Sequence, residues 1–320
     1  MLYTSVGYQL TDSCNAKCKI CCTSSPLQDG RRLDIELILN SIDSTKDIKS
    51  INTIGITGGE PFLYIDDVLA ISEASSKIGH RISVTTNAFW CESYDITLKV
   101  LSQLKKNNLT YCIISTDAFH EEYVPIKYIK TLVRACKNVG INPQIQSIST
   151  RSNLAHTDRI ISELGSDKIN LAVFYGSLLP VGMAKEAVAS EDLFTCKLSH
   201  IVCPFKNTLL ITSDGRAMPC CSPSSFDIPF DFGNIHTDSI SIILQRIYKC
   251  KLMCTIKGEG FLNLLKIAKE ERGYLELDGY VNVCHLCHDL LNNPEQYKYL
   301  QKKAEILADI QDGLRSWTKS

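Results

Sequence analysis

The feature that most constrains the fold of this chain is a regular alternation of short apolar segments with longer helical ones. Six segments have the apolar runs of β-strands, at residues 4–10, 53–57, 81–86, 111–115, 144–148 and 171–175. Between them, five segments have helical periodicity, at residues 34–46, 65–78, 94–106, 126–139 and 153–164. Strands separated by helices pair in parallel through right-handed crossovers. Six units are too few for a closed eight-fold barrel, so the sequence predicts an α/β fold with an open, partial (β/α)6 barrel.

The chain changes character after this alternation ends near residue 180. From Cys196 onward it contains clusters of Cys, Pro and Gly, and Asp214-Gly215 marks a turn between two short extended segments. Helices are predicted at about 238–251, 260–269 and 294–314. We therefore predict two domains, a partial barrel at residues 1–190 and a small cysteine-rich domain with C-terminal helices at 191–320.

Fifteen cysteines among 320 residues are the unusual part of the composition. The net charge of -1 gives no general attraction to nucleic acid or to an anionic membrane. No apolar run reaches the roughly 18 residues of a membrane span, and no secretory signal opens the chain. We expect a cytoplasmic protein without nucleic-acid or membrane partners. In the reducing cytoplasm, so many cysteines indicate metal or redox chemistry. Five of them are better explained as structural side chains, namely Cys91, Cys112, Cys136, Cys250 and Cys254.

Cys14, Cys18 and Cys21 form a compact loop directly after the first predicted strand. In parallel α/β folds the active site lies at this carboxyl end of the strands. Three thiolates at this spacing can ligate three irons of a cubane and leave the fourth iron open. A structural zinc site would want a fourth ligand, which the adjacent Cys22 can hardly provide. The spacing favours iron–sulfur and leaves zinc as an alternative.

A second motif, Gly58-Gly59-Glu60-Pro61, follows the second predicted strand. Two glycines let a backbone approach a ligand closely, and Glu60 or the exposed carbonyls can accept hydrogen bonds from an ammonium group. By itself the motif is also an ordinary turn between a strand and a helix.

Together the two motifs resemble those of the radical S-adenosylmethionine (SAM) superfamily, over roughly residues 4–180. The resemblance implies a [4Fe–4S] cluster on Cys14, Cys18 and Cys21 that cleaves SAM to a 5′-deoxyadenosyl radical. The family usually has an aromatic residue where this chain has Ile20, which can still pack an adenine face. Polar residues at strand ends are also common in loops, so the further SAM contacts are expectations. Those implied beside Gly58, Gly59, Glu60 and Pro61 are Ile20, Asn87, Ser115, Asp117 and Arg151.

The C-terminal part contains a second set of cysteines, Cys203, Cys220, Cys284 and Cys287. Two ligands on a hairpin and a C-x-x-C pair make a complete four-thiolate site, which would satisfy zinc or iron–sulfur equally. The spacing resembles the Twitch domain, the shortened relative of the SPASM domain, and residues 232–235 resemble the Gly-Asn-Ile stretch that follows its hairpin. This resemblance implies an auxiliary [4Fe–4S] cluster with all four irons ligated by the protein.

Cys221 lies beside a predicted ligand in the sequence Pro-Cys-Cys-Ser-Pro at residues 219–223. This layout, the downstream residues 259–265 and the late C-x-x-C resemble the radical SAM peptide epimerases. The resemblance implies that Cys221 returns a hydrogen atom to a peptide α-carbon radical and so converts an L-residue to D. Its partners would be a ribosomally synthesised precursor peptide and an external electron donor.

Other interpretations of these residues remain open at this point. Cys221 is equally a buried thiol, or a ligand that leaves Cys220 free, and Cys22 is a weaker candidate for the donor. The chain could instead crosslink a peptide through a thioether or a carbon–carbon bond, or it could dehydrogenate a small molecule. If the chain is not an enzyme, these cysteines would belong to a zinc-stabilised binding module.

Overall fold

The computed structural model describes residues 2–27, 29–199, 201–258, 261–273 and 277–317, with side chains for all of these except 271–272 and 311–317. Eight strands form one sheet in the order β6-β5-β4-β3-β2-β1-β7-β8. The first six are parallel, as the alternation predicts, and because β6 and β8 are edges the sheet is open. Their bounds are Ser5–Gln9 (β1), Thr53–Thr57 (β2), Arg81–Thr86 (β3), Leu109–Ser115 (β4), Asn142–Ser149 (β5), Ala172–Ser177 (β6), Thr208–Ile211 (β7) and Ala217–Met218 (β8).

Five helices connect the parallel strands, at Ile35–Asp43 (α1), Ile65–Lys77 (α2), Tyr94–Lys106 (α3), Ile126–Val139 (α4) and Leu154–Glu163 (α5). Asp34 begins α1 because its carboxylate accepts a 3.0 Å hydrogen bond from the amide of Leu37. Gly140 ends α4 with a positive φ of 71°, a conformation in which a side chain is costly. A short helix, Ala184–Ala187 (α6), follows β6.

The cysteine-rich part continues the same sheet. Strand β7 pairs in parallel with β1, from Ser5 opposite Thr208 to Tyr8 opposite Ile211, and β8 returns antiparallel to β7. The turn between them contains Gly215 at φ 82°, and the side chain of Asn234 braces it through a 3.0 Å hydrogen bond to Asp214 O. Five helices follow, at Ile240–Lys249 (α7), Lys251–Lys257 (α8), Phe261–Arg272 (α9), Val283–Leu291 (α10) and Pro294–Trp317 (α11).

The two faces of the sheet differ in burial and in polarity. Alternate residues such as Tyr8 face the helices, and the Tyr8 hydroxyl lies 2.8 Å from the hydroxyl of Ser41 on α1. The remaining residues form what we call the open face, opposite α1 to α5. The open face has almost no bulk at its centre, because Gly7 lies beside Gly55 and Gly55 beside Ser83.

Within the residues described, every helix is too short or too polar to cross a membrane.

Candidate active site

The loop after β1 brings three sulfur atoms together at the carboxyl end of the sheet. Cys14 and Cys18 are each only 8% exposed, and burial raises the pKa of both thiols, with the charge of Cys21 acting in the same direction. The amide of Ala16 lies 3.4 Å from Cys14 Sγ, and that of Ser25 lies 3.3 Å from Cys21 Sγ. Burial acts to raise the pKa of Cys21, but hydrogen bonds from Thr23 and Ser25 outweigh it and lower the pKa. Hydrogen bonding therefore favours the thiolate, the form that ligates metal, at Cys21.

The glycine motif after β2 packs directly against this cysteine loop. Gly59 N donates a 2.7 Å hydrogen bond to Thr11 O, and Glu60 N donates one of 2.9 Å to Ser13 O. A Cβ atom on Gly59 would lie 2.1 Å from Ser13 O, and one on Gly58 would lie 2.7 Å from Thr11 O. The glycines thus permit a close approach to the backbone of the cysteine loop, whereas the sequence suggested a close approach to a ligand.

Glu60 links this motif to the end of β3. Its buried carboxylate accepts hydrogen bonds from Phe62 N, Thr86 Oγ1 and Asn87 N, at 3.1, 2.8 and 2.7 Å. Burial raises the pKa of Glu60 to about 7, although these hydrogen bonds act to lower it. Pro61 follows as the first residue of a buried 3-10 turn. Glu60 therefore positions two loops of the site from within.

Asn87, Asp117 and Ser115 lie where the sequence predicts cofactor contacts. The amide group of Asn87 donates 2.8 Å to Asn15 Oδ1 and lies 3.9 Å from Cys14 Sγ, so it adjoins the cysteine loop. Ser115 is the last residue of β4 and is half-buried on the open face. Asp117 is 1% exposed, and its carboxylate accepts from the His120 ring at 2.8 Å and from Ile148 N at 3.2 Å.

Ile20 and Arg151 are the other two predicted contacts. Ile20 packs against the cysteine loop on one side and against Leu178 and Ala184 on the other. Arg151 donates from Nε to Leu193 O at 3.0 Å, and its guanidinium lies 5.3 Å from the ring centroid of Phe194. Arg151 is thus held by the segment that follows α6.

Four cysteines of the C-terminal part line one cavity, as their spacing predicts. Cys203, Cys220, Cys284 and Cys287 all border it. Burial raises the pKa of Cys287, and the other three cysteines act in the same direction by charge repulsion. Cys284 and Cys287 are one turn apart on α10, which Asn282 caps by accepting 2.9 Å from Cys284 N. In the motif at 259–265, residues 259 and 260 lie outside the described residues, while Phe261 lines the cavity.

Lys257 also lines this cavity, and the sequence reasoning missed it. It is only 4% exposed and lies at the end of α8, on the same side as the buried Leu252, Met253 and Ile256. Burial lowers the pKa of Lys257, while the thiolates of Cys220 and Cys203 act in the opposite direction. A lysine on the apolar face of a helix is the signal that could have identified it.

Cys221 differs from its neighbour Cys220 in where it lies. Cys220 borders the cavity, whereas Cys221 is not part of its lining and interacts with the side chain of Thr208. The Thr208 hydroxyl lies 2.8 Å from the Ser5 hydroxyl, at the amino ends of β7 and β1. Ser5 shares the open face with Gly7, because side chains two residues apart point the same way. Burial raises the pKa of Cys221 to about 11.

The remaining cysteines divide into buried and accessible ones. Cys91, Cys112 and Cys136 are fully buried in the main core, as expected for structural residues. Cys250 is half-buried, while Cys254 is exposed and donates from Sγ to Tyr248 O at 3.2 Å.

The two cysteine groups supply ligand sets for two [4Fe–4S] clusters. Three thiolates on the first loop would ligate three irons of one cluster and leave the fourth open, and the four thiolates around the cavity would ligate all four irons of a second cluster.

Two family models match segments that contain the cysteine loop and two of the four cavity cysteines, Cys203 and Cys220. The family model of the radical SAM superfamily matches residues 8–171, and the model of an iron–sulfur cluster-binding domain, SPASM, matches residues 203–257. The chain is 25% identical to the putative peptide biosynthesis protein YydG of Bacillus subtilis, over 94% of this chain and 98% of that protein. It is also 28% identical to a probable GTP 3′,8-cyclase of Saccharolobus islandicus, over 57% of this chain and 59% of that one.

Solved structures share the fold. The structure of anSMEcpe with bound AdoMet and the Cp18Cys peptide has a TM-score of 0.57 at 14% identity, over 96% of this chain and 100% of that one. Streptococcus suis SuiB bound to the precursor peptide SuiA has a TM-score of 0.53 at 16% identity, over 80% of this chain and 67% of that one.

Proposed function

Since this chain belongs to the radical SAM superfamily, we propose that it is a maturase of a ribosomally synthesised peptide and that it converts L-residues to D-residues. Its cofactors are SAM, a [4Fe–4S] cluster that binds it, and an auxiliary [4Fe–4S] cluster. The peptide substrate is supported by the similarity to YydG, which is described as a putative peptide biosynthesis protein and is matched over nearly its full length.

The observation that carries the proposal is the position of the Cys221 thiol relative to the cysteine loop. The loop follows the carboxyl end of β1, while Cys221 interacts with Thr208, the partner of Ser5, at the amino ends of β7 and β1. The four residue steps from Ser5 to Gln9 span roughly 13 Å. A peptide lying on the open face between these ends has the radical source on one side and a thiol on the other. Removal of hydrogen from one side and its return from the other inverts an α-carbon.

The open face suits an uncharged peptide segment. At its centre Leu210, Gly7, Gly55 and Ser83 lie side by side, and in the row nearer the cysteine loop Gln9 lies beside Thr57. None of these side chains is charged, and the two glycines leave space above the strands. Peptide amides bind well to such neutral polar groups, which leave no buried charge unpaired.

The proposed steps balance in atoms and electrons. When bound, SAM and its cluster would supply a 5′-deoxyadenosyl radical and release methionine, with one electron taken from an external reductant. The peptide loses its α-hydrogen to that radical, and 5′-deoxyadenosine forms. Cys221 then donates its S–H hydrogen atom to the α-carbon and becomes a thiyl radical. One electron from an external low-potential reductant and one proton from water restore the thiol.

A Cys221→Ala variant tests the proposal. Reconstituted with SAM, reductant and the precursor peptide, it should still form 5′-deoxyadenosine but yield little D-residue. The control is Cys22→Ala, which removes the buried thiol beside Cys21. We expect it to leave inversion intact. Full inversion by Cys221→Ala would remove Cys221 from the mechanism, and loss of inversion only in Cys22→Ala would transfer the role to Cys22.

Peptide mass separates epimerisation from its alternatives. Because a thiol hydrogen exchanges with solvent, inversion in D2O adds one deuteron to the residue that changes, and in water the mass is unchanged. A thioether or carbon–carbon crosslink removes two hydrogens from the peptide, whereas oxidation of a small-molecule alcohol removes two hydrogens from the alcohol and leaves the peptide mass unchanged. A product lighter by two hydrogens would favour crosslinking, and an unmodified peptide with turnover of a small molecule would favour a dehydrogenase.

A further inference from the structure

Lys257 lies in an unusual environment for a lysine. Its Nζ lies within hydrogen-bond distance of four oxygen atoms, Tyr3 Oη at 2.8 Å, Phe205 O at 3.1 Å, Lys206 O at 3.3 Å and Pro219 O at 2.5 Å. It also lies 4.5 Å from the centre of the Tyr3 ring, a favourable distance for a cation over an aromatic face. Lysine is almost never this buried unless it is paired.

The surrounding atoms favour the charged form of this side chain. Three of its four partners are carbonyl oxygens, which only accept hydrogen bonds, and an ammonium group has three hydrogens to donate. A neutral amine would have only two hydrogens and a lone pair directed at one of these oxygens. The buried nitrogen is therefore held as a cation.

This cation lacks a carboxylate partner. Among the residues the structure describes, no Asp or Glu forms a salt bridge with Lys257. Burial of an unpaired charge is strongly unfavourable, so a nearby anion is needed to compensate it. Among the described residues along its cavity, the groups of that kind are the thiolates of Cys203, Cys220, Cys284 and Cys287.

We propose that Lys257 is the counter-charge of the auxiliary cluster and that it raises the reduction potential of this cluster. Four thiolates give a protein-bound [4Fe–4S] cluster a net negative charge, which becomes one unit more negative on reduction. A fixed cation in a buried site stabilises the more negative state preferentially, because attraction is strong where water is excluded. Lys257 is thus a positioning residue of the auxiliary site. The inference needs the auxiliary cluster but not the identity of the substrate.

The midpoint potential of the auxiliary cluster is the measurement that tests this role. The full chain would carry Cys14→Ala, Cys18→Ala and Cys21→Ala, so that the paramagnetic signal of the reduced protein belongs to the auxiliary cluster alone. In this background Lys257→Met removes the charge and keeps most of the volume, while Lys257→Arg keeps the charge. Tyr3→Phe is the matched control, since it removes one hydrogen bond to Lys257 and leaves the cation in place.

We expect Lys257→Met to disfavour reduction by about tenfold or more, which is a fall of at least about 59 mV for a one-electron couple. Lys257→Arg and Tyr3→Phe should remain much closer to the parent. Equal potentials in Lys257→Met and the parent, with equal iron content, would overturn the proposal. So would a parent site that holds zinc, because zinc has no redox couple.

Loss of the cluster in Lys257→Met would also decide the question. If Lys257→Gln likewise fails to retain iron while Lys257→Arg retains it, the charge is needed to assemble the site, as proposed. If Lys257→Arg loses iron as well and Tyr3→Phe does not, the specific contacts of lysine matter and its charge does not, which contradicts the proposal.

Discussion

The amide of Glu60 donates a 2.9 Å hydrogen bond to the carbonyl of Ser13, the residue directly before the first cysteine of the cysteine loop. The same glutamate accepts from Asn87 N through its carboxylate, at 2.7 Å. One residue therefore joins the loops that follow β1, β2 and β3. The geometry of the three cysteines depends on this contact, because loops without secondary structure are held only by such bonds.

Replacement of Gly59 tests this dependence. In Gly59→Ala the added Cβ would lie 2.1 Å from Ser13 O, so the two loops must separate. Such overpacking costs about 1–3 kcal/mol, which is roughly tenfold to a hundredfold in affinity for the cluster. We expect about half of the iron to be lost and SAM cleavage to fall with it, as measured by iron content and 5′-deoxyadenosine.

The control is Gly79→Ala at the end of α2. Gly79 has a φ of 83°, and its added Cβ would meet nothing within 4 Å. This change should lower stability by about 1–2 kcal/mol through backbone strain but leave the iron content unchanged. Full iron retention in Gly59→Ala would show that the contact between the loops is dispensable.

The auxiliary site should be separable from the first one. Cys284 is 7% exposed and borders the cavity, so Cys284→Ala removes one of four ligands and should release the auxiliary cluster. The SAM-binding cluster has its own loop, and we expect SAM cleavage to persist while peptide turnover falls. Cys196→Ala, at an exposed cysteine, should change neither. Loss of both clusters in Cys284→Ala would indicate one cooperative unit.

The space above Gly55 should be needed for the peptide and not for the fold. An added Cβ at Gly55 would lie 3.5 Å from Gly7 Cα and 3.5 Å from Ser83 Oγ, which is ordinary contact, so Gly55→Ala should be tolerated. Gly55→Leu extends further over the open face. We expect it to raise the KM for the peptide about tenfold or more, equivalent to about 1.4 kcal/mol of binding, while peptide-independent SAM cleavage stays near that of the parent. Equal peptide KM values in Gly55→Leu and the parent would move the binding site elsewhere.

The pair of Asp117 and His120 should make stability depend on pH. Burial acts to lower the pKa of His120, but the charge of Asp117 and the hydrogen bond to it raise the pKa above its ordinary value. A raised histidine pKa gives stability that is complete below about pH 6.5 and is lost as the pH rises through the folded pKa. Burial acts to raise the pKa of Asp117, but the charge of His120 and the hydrogen bonds to the carboxylate outweigh burial, and the pKa is lowered. The ionised carboxylate of Asp117 therefore stabilises the fold down to acidic pH.

We therefore expect His120→Gln to destabilise the protein by about 1–3 kcal/mol at pH 6 and by less at pH 8. The midpoint of anaerobic thermal unfolding at the two pH values measures this difference. His236→Gln, at an exposed histidine, is the control and should show no such change. An equal loss at both pH values would mean that the His120 ring acts through packing alone.

Several elements follow directly from local sequence. The predicted bounds of β2, β3, α3 and α4 agree with the structure. In these four elements the apolar periodicity stops at the same positions as the residues that end a strand or a helix. Gly140 has the left-handed conformation expected of a helix end. The strand predicted at 111–115 begins earlier, at Leu109, because Leu109 pairs with Ile82 of β3, a contact that only the neighbouring strand can provide.

The sequence by itself determined the order of strands and helices, the two groups of cysteines and their association with the ends of elements. These depend on periodicity and spacing, which are local. Only the tertiary structure decided that β7 pairs with β1, that Glu60 binds three loops together, that Lys257 is buried beside the auxiliary cysteines and that Cys221 adjoins Thr208. These relationships depend on strand pairing and on packing between distant segments, as between Ser5 and Thr208, which are 203 positions apart, and local periodicity does not specify such contacts.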